Sequence, residues 1–428
     1  MAAVTIQQLD PALLQLVKED VTKIFEQEAV GWSTFKKNTK SQFVNGKGFR
    51  IPVYPTPPGG HTWFSENDSS FNDPNPYEFK DMYVWPTAYA LAFEFTGRVI
   101  RNEKDDSSLM RWFGEQLSLY VETGIKEIEE QLPYDGRGIK AVINGDPGTG
   151  PTASGMVVAG TVQPSAQSGY TKGTKYLTKG ARYDIVDPAT GTPRVGMPVQ
   201  VKTPGPAQVV LTGTTLDAGV ADGDLITAVR GYNKAFRGLA YLINNGSGVF
   251  QLLSRADYPE LRSPVTDLAQ TTLGPAAISK TKANLMYRAG KDQGAKNLIA
   301  FLSFGQYEYL RRQGYNLRRF MDSDTVTGVA GSYTDGDTTF LPNTNCDEDR
   351  CYFLDLTDIE RYVEMDFGLY DLDGQTIRMK LGTNGVGSDN YAGAIGICMN
   401  LGLTAPMKHA LIKRAAISDT ATQVGSYS

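Results

Sequence analysis

The stretch that most constrains this chain runs from Asp105 to Pro133, DDSSLMRWFGEQLSLYVETGIKEIEEQLP. Two Asp and two Ser open it, which suits an N-cap and the positive end of a helix dipole. Pro133 closes it. Between them Leu109, Phe113, Leu117, Val121, Ile125, Ile128 and Leu132 recur at steps of three and four, so one stripe is apolar. Arg111, Glu115, Glu122, Lys126, Glu129 and Glu130 occupy the other face. At the usual rise per residue such a helix is roughly 40 Å long. That is longer than a small domain is wide, so the helix must act as a beam, and the rest of the chain has to be laid along it.

What precedes the helix is extended. Asp10-Pro11 reads as an N-cap followed by proline in the first turn, and Leu14, Val17, Val21, Ile24 and Phe25 make a short stripe through residue 30. A first arm, FVNGKGFRIPVYP, follows from Phe43. Then comes a turn-rich tip crowded with Pro, Gly, Asn, Asp and Ser, and a second arm, DMYVWPTAYALAFEFTG. In the second arm Tyr83, Trp85, Tyr89, Leu91, Phe93 and Phe95 all fall on odd positions, with Ala88, Ala90 and Ala92 between them. That is a period-2 pattern with one bulky face. Pro52 and Pro86 keep both arms out of the middle of a sheet. The expectation is a long two-stranded ribbon whose aromatic face lies on another subunit, because an isolated hairpin is marginal in water.

After the helix the glycines Gly145, Gly148 and Gly150 lack the Gly-Lys-Ser/Thr of a phosphate loop. Residues 155–250 change character to short β-like runs such as RYDIVD, MPVQVKT, AQVVLTG and DLITAVRG, which predicts an inserted small barrel or sandwich. From about residue 271 the pattern alternates helix and strand. A helix after Gly274-Pro275 should turn Ile278, Leu285, Met286 and Ala289 inward. NLIAFLS reads as a buried strand and Phe304 to Gln313 as a helix. CYFLDL, YVEMDFGLYDL, TIRMKLG and GAIGICMNLGL read as further strands.

Chemistry has little to stand on. The only histidines, His61 and His409, sit in unlike contexts, so no Ser–His or Cys–His pair is indicated. Cys346, Cys351 and Cys398 are too few and uneven for a disulfide framework, and with two His they supply no four-ligand zinc set. DLDGQT at 371–376 opens like a calcium loop but lacks its second half. The expectation is no catalytic site, no cofactor and no metal. Net charge is −5, the wrong sign for a chain that grips nucleic acid through its phosphates. The N-terminus has neither the basic nor the apolar part of a signal peptide, and no window approaches 18 apolar residues, so synthesis in a cytoplasm and no membrane span are expected. Two basic clusters remain: Arg311, Arg312, Arg318 and Arg319 around RRQGYNLRR, and Lys408, Lys413 and Arg414 near the end. Subunit contacts through Arg–carboxylate pairs, a solvated surface and a weak phosphate contact all stay open for them.

The order of these parts resembles the major capsid proteins of tailed bacteriophages, the Hong Kong 97-like fold that encapsulins also share. The phrases NLIAFLSFGQYEYLRRQGYNL and GAIGICMNLGLTAPMKHALI are similar to the strand–helix pair and the returning strand of that family's axial domain. The resemblance implies an α+β chain divided into an N-terminal arm and helix (1–42), an extended β-ribbon loop (43–104) and a spine helix opening the peripheral domain (105–154). An inserted β-rich domain (155–250), a return to the peripheral domain (251–270), an axial domain (271–400) and a C-terminal segment (401–428) follow. It implies a structural protein, not an enzyme, that forms homo-hexamers and homo-pentamers and closes an icosahedral virion shell around double-stranded DNA without reading its sequence. The partners implied are the portal, a separate scaffolding protein and a cement or decoration protein. Subunit contacts are then expected at Trp63, Phe64, Tyr83, Trp85 and Tyr89 on the ribbon, at Glu115, Glu122, Lys126 and Glu129 on the helix, and at Arg311, Arg312, Arg318 and Arg319. An encapsulin-type compartment and a β-rich surface-binding protein are the alternatives.

Overall fold

The long helix forms where its caps and stripe place it, from Asp106 to Gln131, and the main sheet of the protein lies against it. This computed structural model describes residues 29–44, 46–56, 78–96, 106–143, 156–159, 176–194, 199–203, 208–212, 220–221, 223–269, 271–289, 298–318, 333–335, 338–370, 377–381 and 387–415. The expected helix at 10–30, the ribbon tip with Trp63 and Phe64, Arg319 and the DLDGQT stretch lie outside the described residues or almost wholly so.

The main sheet is built on one 17-residue strand, Gly387–Leu403. One flank of it pairs antiparallel with Ile359–Leu369 and then with Ile377–Leu381. The other flank pairs antiparallel with Thr87–Thr96, in a register running from Asn390 opposite Thr96 to Met399 opposite Thr87. Alternation turns Ile395, Ile397, Met399 and Leu401 toward the core beneath the helix, where Val121, Ile125, Ile128 and Leu132 meet them. The helix comes close because residue 124 is glycine. A Cβ built there would stand 2.7 Å from Cζ of Phe367. Gly124→Ala should therefore lower stability by about 1 kcal/mol, since overpacking of 1–3 kcal/mol exceeds the helix-propensity gain of about 1 kcal/mol. Thermal melting checks the sign, and adding Phe367→Leu should recover part of the loss.

A second, mixed sheet has the order Val265–Asp267, Ala410–Lys413, Cys351–Leu354, Ile299–Leu302, Thr338–Pro342, Tyr333–Asp335. Helices Pro275–Ala289 and Phe304–Arg318 cover one face through Ile278, Leu285 and Leu310. The opposite face joins the main core, with Phe301 stacked on Phe35. Met286, expected inward, is exposed. Steps of three and four from Ile278 lead to Thr281 and Leu285, and Met286 lies about 100° farther round the helix. A third, antiparallel sheet runs Ile139–Val142, Leu225–Ala228, Arg182–Val186, Val199–Thr203, Gln208–Thr212, Met156–Ala159. The architecture is α+β: several separate sheets and two covering helices beside the long one.

Candidate subunit-contact surface

The ribbon is shorter than the period-2 run suggested. Gly48–Thr56 pairs with Glu78–Val84, placing Ile51 opposite Met82 and Arg50 opposite Tyr83. Ile51, Val53, Met82 and Val84 point into the core. Arg50, Asp81, Tyr83 and Trp85 point away from it. The second arm then breaks at Trp85-Pro86, and its remainder, Thr87–Thr96, leaves the ribbon to join the main sheet. The bulky positions change sides at that break. Odd residues face out up to Trp85, whereas Tyr89 and Phe93 face in, and Ala88, Ala90 and Ala92 take the outer side.

Tyr89 is half-buried against its own chain. Its ring lies near Gly124 of its own long helix, and Phe93 packs on Tyr120 at 5.7 Å between ring centroids. Burial, then the charges of Glu127 and Glu130, push the Tyr89 hydroxyl well above its ordinary pKa. Tyr83 and Trp85 stay on the ribbon's outer side with Phe79, Trp85 being 52% exposed. Lys47 lies 5.4 Å from the Tyr83 ring centroid, and Arg50 pairs with Asp81 at 2.8 Å.

Glu129 also has a partner within its own chain. Its Oε1 accepts the Trp32 N–H at 2.7 Å, so the carboxylate caps the short helix Val30–Ser33 of the same chain. A Cβ at residue 31 would press on the other Glu129 oxygen, so glycine lets the carboxylate sit close against this turn. Burial raises the Glu129 pKa, and the Trp32 and Gly31 amides oppose it. Glu122 and Lys126 remain exposed on the helix, and Glu115 lies in its backbone with a side chain outside the described residues. Arg311 and Arg312 both pair with Glu308 on their own helix, at 2.9 and 3.5 Å, which is worth only a few tenths of a kcal/mol each in water. Arg318 ends that helix, its side chain likewise outside the described residues.

Two features escaped sequence reasoning. Lys140, on the first strand of the third sheet, reaches back to the last turns of the long helix, where its Nζ contacts Glu127 and, at 2.8 Å, Glu130. Next to that pair, Tyr134 donates to Asp347 at 3.2 Å and the Tyr352 hydroxyl to the Pro133 carbonyl at 2.9 Å, tying the helix end to the second sheet. The other feature is a hairpin, Val249–Phe250 with Leu253–Ser254, whose Gln251 carbonyl accepts the Tyr83 N–H at 3.0 Å. Its turn residues are Gln251 and Leu252, so no Asn-Gly pair signalled it. Among the described residues no group of three or more His, Cys, Asp or Glu is placed to hold a metal, and no helix is long and apolar enough to cross a membrane.

No protein-family model and no curated protein sequence matches the chain. Among solved structures it is similar to the Cyanophage A-1(L) capsid asymmetric unit, at 10% identity over 89% of this chain and 90% of that one, with a TM-score of 0.48. It is similar to Mycobacterium phage Patience at 9% identity, 95% and 88% coverage and a TM-score of 0.43. The holo-SrpI encapsulin complex from Synechococcus elongatus PCC 7942 aligns at 8% identity, 91% and 89% coverage and a TM-score of 0.43.

Proposed function

We propose that this chain is the structural subunit of an icosahedral virus shell of the Hong Kong 97-like kind, assembling through hexamers and pentamers around double-stranded DNA. The observation that carries the reading is the ribbon. Its inner face is locked into the core by Met82 and Val84, while its outer face offers Phe79, Tyr83 and Trp85 beside Lys47 and Arg50. A rigid root that projects aromatic and cationic side chains outward has the composition of an association surface. The order of parts in sequence, arm, ribbon, long helix and flanking sheets, supports the same reading. On it, a portal and a separate scaffolding protein are the partners of assembly, with a cement or decoration protein on the finished shell.

Deleting residues 57–77 and joining the two ribbon strands by a short turn tests the role of the ribbon. The expected result is a folded chain, by circular dichroism and melting temperature, that no longer forms rings or shells in electron micrographs. Unchanged shells from the deletion variant would remove the ribbon from assembly. A wild-type protein that stays monomeric alone and with a scaffold would overturn the shell reading itself.

A further inference from the structure

We propose that Arg255 and Arg262 form an oxyanion-binding site, whose ligand is a group with the chemistry of a phosphate or a carboxylate. The inference stands apart from the shell reading, because it needs only the folded chain.

Arg255 is a buried cation without a counter-ion. It follows the hairpin described above and is 3% exposed. Its guanidinium lies 4.3 Å from the ring centroid of the fully buried Phe250. Its Nε donates to the Leu261 carbonyl at 3.0 Å, and its Nη2 to the carbonyls of Tyr241 and Leu242 at 3.2 and 2.8 Å. Those contacts fix the plane of the guanidinium. They leave Nη1 without an acceptor among the described residues. Burial lowers the pKa of the group to about 10, with the Tyr241 hydroxyl working against that and Arg262 adding to it. No carboxylate takes part, and the group stays charged at neutral pH.

Arg262 brings a second positive charge to the same place. Its Nε donates to the Arg255 carbonyl at 2.7 Å, while Arg255 reaches the carbonyl of Leu261, the residue before it, so the two side chains cross. The short turn Pro259–Leu261 lies between them, and Asp257 and Glu260 are the acids of that segment. Both acids are exposed, and neither forms an ion pair among the described residues. Arg237, close by, uses its Nη1 on the Tyr241 hydroxyl at 2.9 Å, and it has no carboxylate partner among the described residues either. Three arginines without an acid thus gather in one neighbourhood of a chain whose net charge is −5.

Arginine is seldom buried this far unless it is paired, and a buried charge left uncompensated is costly. The three carbonyls explain why the Arg255 side chain is held. They do not explain why a second cation stands beside it, where like charges repel. An oxyanion resolves both. Its oxygens match the planar fork of a guanidinium, and they would take the idle Nη1 of Arg255 together with the Nη groups of Arg262. The contacts to carbonyl groups hold Arg255 in place before any ligand arrives, which lowers the ordering cost of binding.

Titration calorimetry of the full-length protein with inorganic phosphate, at pH 7 and constant ionic strength, tests the site. Wild type should show a single site, and Arg262→Gln should bind about tenfold or more weakly, the usual loss for one charge-assisted contact. Arg262→Lys keeps the charge and loses the fork, so it should fall between the two. Circular dichroism checks that the variants fold. If Arg262→Gln does not, wild type against Arg262→Lys carries the comparison. Sedimentation velocity with and without phosphate then identifies the source of the oxyanion. If a carboxylate on a second copy fills the site, phosphate should weaken association of wild type, and Arg262→Gln should associate poorly in either buffer. If a free ion fills it, association should be the same for both proteins in both buffers while phosphate binding still differs. Variants that match wild type in phosphate binding and in association would overturn the site.

Discussion

Lys140→Ala is expected to lower the stability of the protein by about 3–5 kcal/mol at pH 7, the usual cost of removing one partner from a buried ion pair. The Lys140 side chain is 5% exposed and Glu130 7% exposed, with Glu127 alongside. Burial alone would push the ammonium pKa down, but Glu130 and Glu127 together outweigh it and hold the group above its ordinary value. Removing the cation leaves two carboxylates facing each other where little water reaches, and one of them must then take up a proton. The variant therefore binds more protons folded than unfolded in the carboxylate range, so its deficit against wild type should shrink as pH falls from 7 to 5. Urea titrations at the two pH values measure this. A deficit that is small at pH 7, or one that grows toward pH 5, would contradict it. Lys140→Met combined with Glu130→Leu should recover most of the loss, since a well-packed apolar replacement of a buried pair is often neutral.

The second large effect is acid sensitivity from His409. The ring is fully buried, its Nδ1 accepts the Asp355 N–H at 3.2 Å, and its Nε2 has no partner among the described residues. Burial lowers its pKa to about 3, with Asp355 working against that and Lys408 adding to it. The unfolded chain takes up this proton near pH 6.5, and the folded one does not until about pH 3. The folded pKa is depressed, so the stabilisation is present above pH 6.5 and is lost as pH falls through the window between those values. The slope is about 1.4 kcal/mol per pH unit, or about 2–3 kcal/mol between pH 6.5 and 4.5. His409→Asn keeps an acceptor near the Nδ1 position and removes the titration. Its stability should fall less steeply over that window by about one proton, in paired denaturant titrations. His61 is common to both proteins and drops out of the difference. Equal slopes would mean that His409 takes up its proton over the same pH range folded and unfolded.

How much of this was legible depends on range. The long helix was readable within a few residues because caps and stripe are local signals. Thr87–Thr96 was readable as a strand but not as a separate one. Tyr83, Trp85, Tyr89 and Phe93 keep the same parity in sequence, and only Pro86 hints that the backbone turns over between them. Glu129 shares a helical face with Glu122 and Lys126, so spacing alone groups the three. What separates them is a segment 97 residues earlier, Trp32, that lies over the end of the helix. Lys140 meets Glu130 only because the chain reverses after Pro133, and no periodicity encodes that reversal. The Gln251–Leu252 turn was illegible for a different reason, since its residues contradict the turn type that tertiary contacts impose.

The central strand Gly387–Leu403 also sets a schedule for synthesis. Its pairing with Thr87–Thr96 joins positions as far apart as Met399 and Thr87, 312 residues along the chain. At 5–20 residues per second, a ribosome needs on the order of 15–60 s to cover that span. Until it does, Thr87–Thr96 has no strand to lie against, and the root of the ribbon has no fixed platform. On the shell reading proposed above, a nascent chain would be unable to present the ribbon's outer face on a fixed platform before nearly all of it has been made. If the chain assembles as proposed, chains truncated before residue 387 should be absent from the assemblies, and incomplete subunits would be screened out without a separate proofreading step.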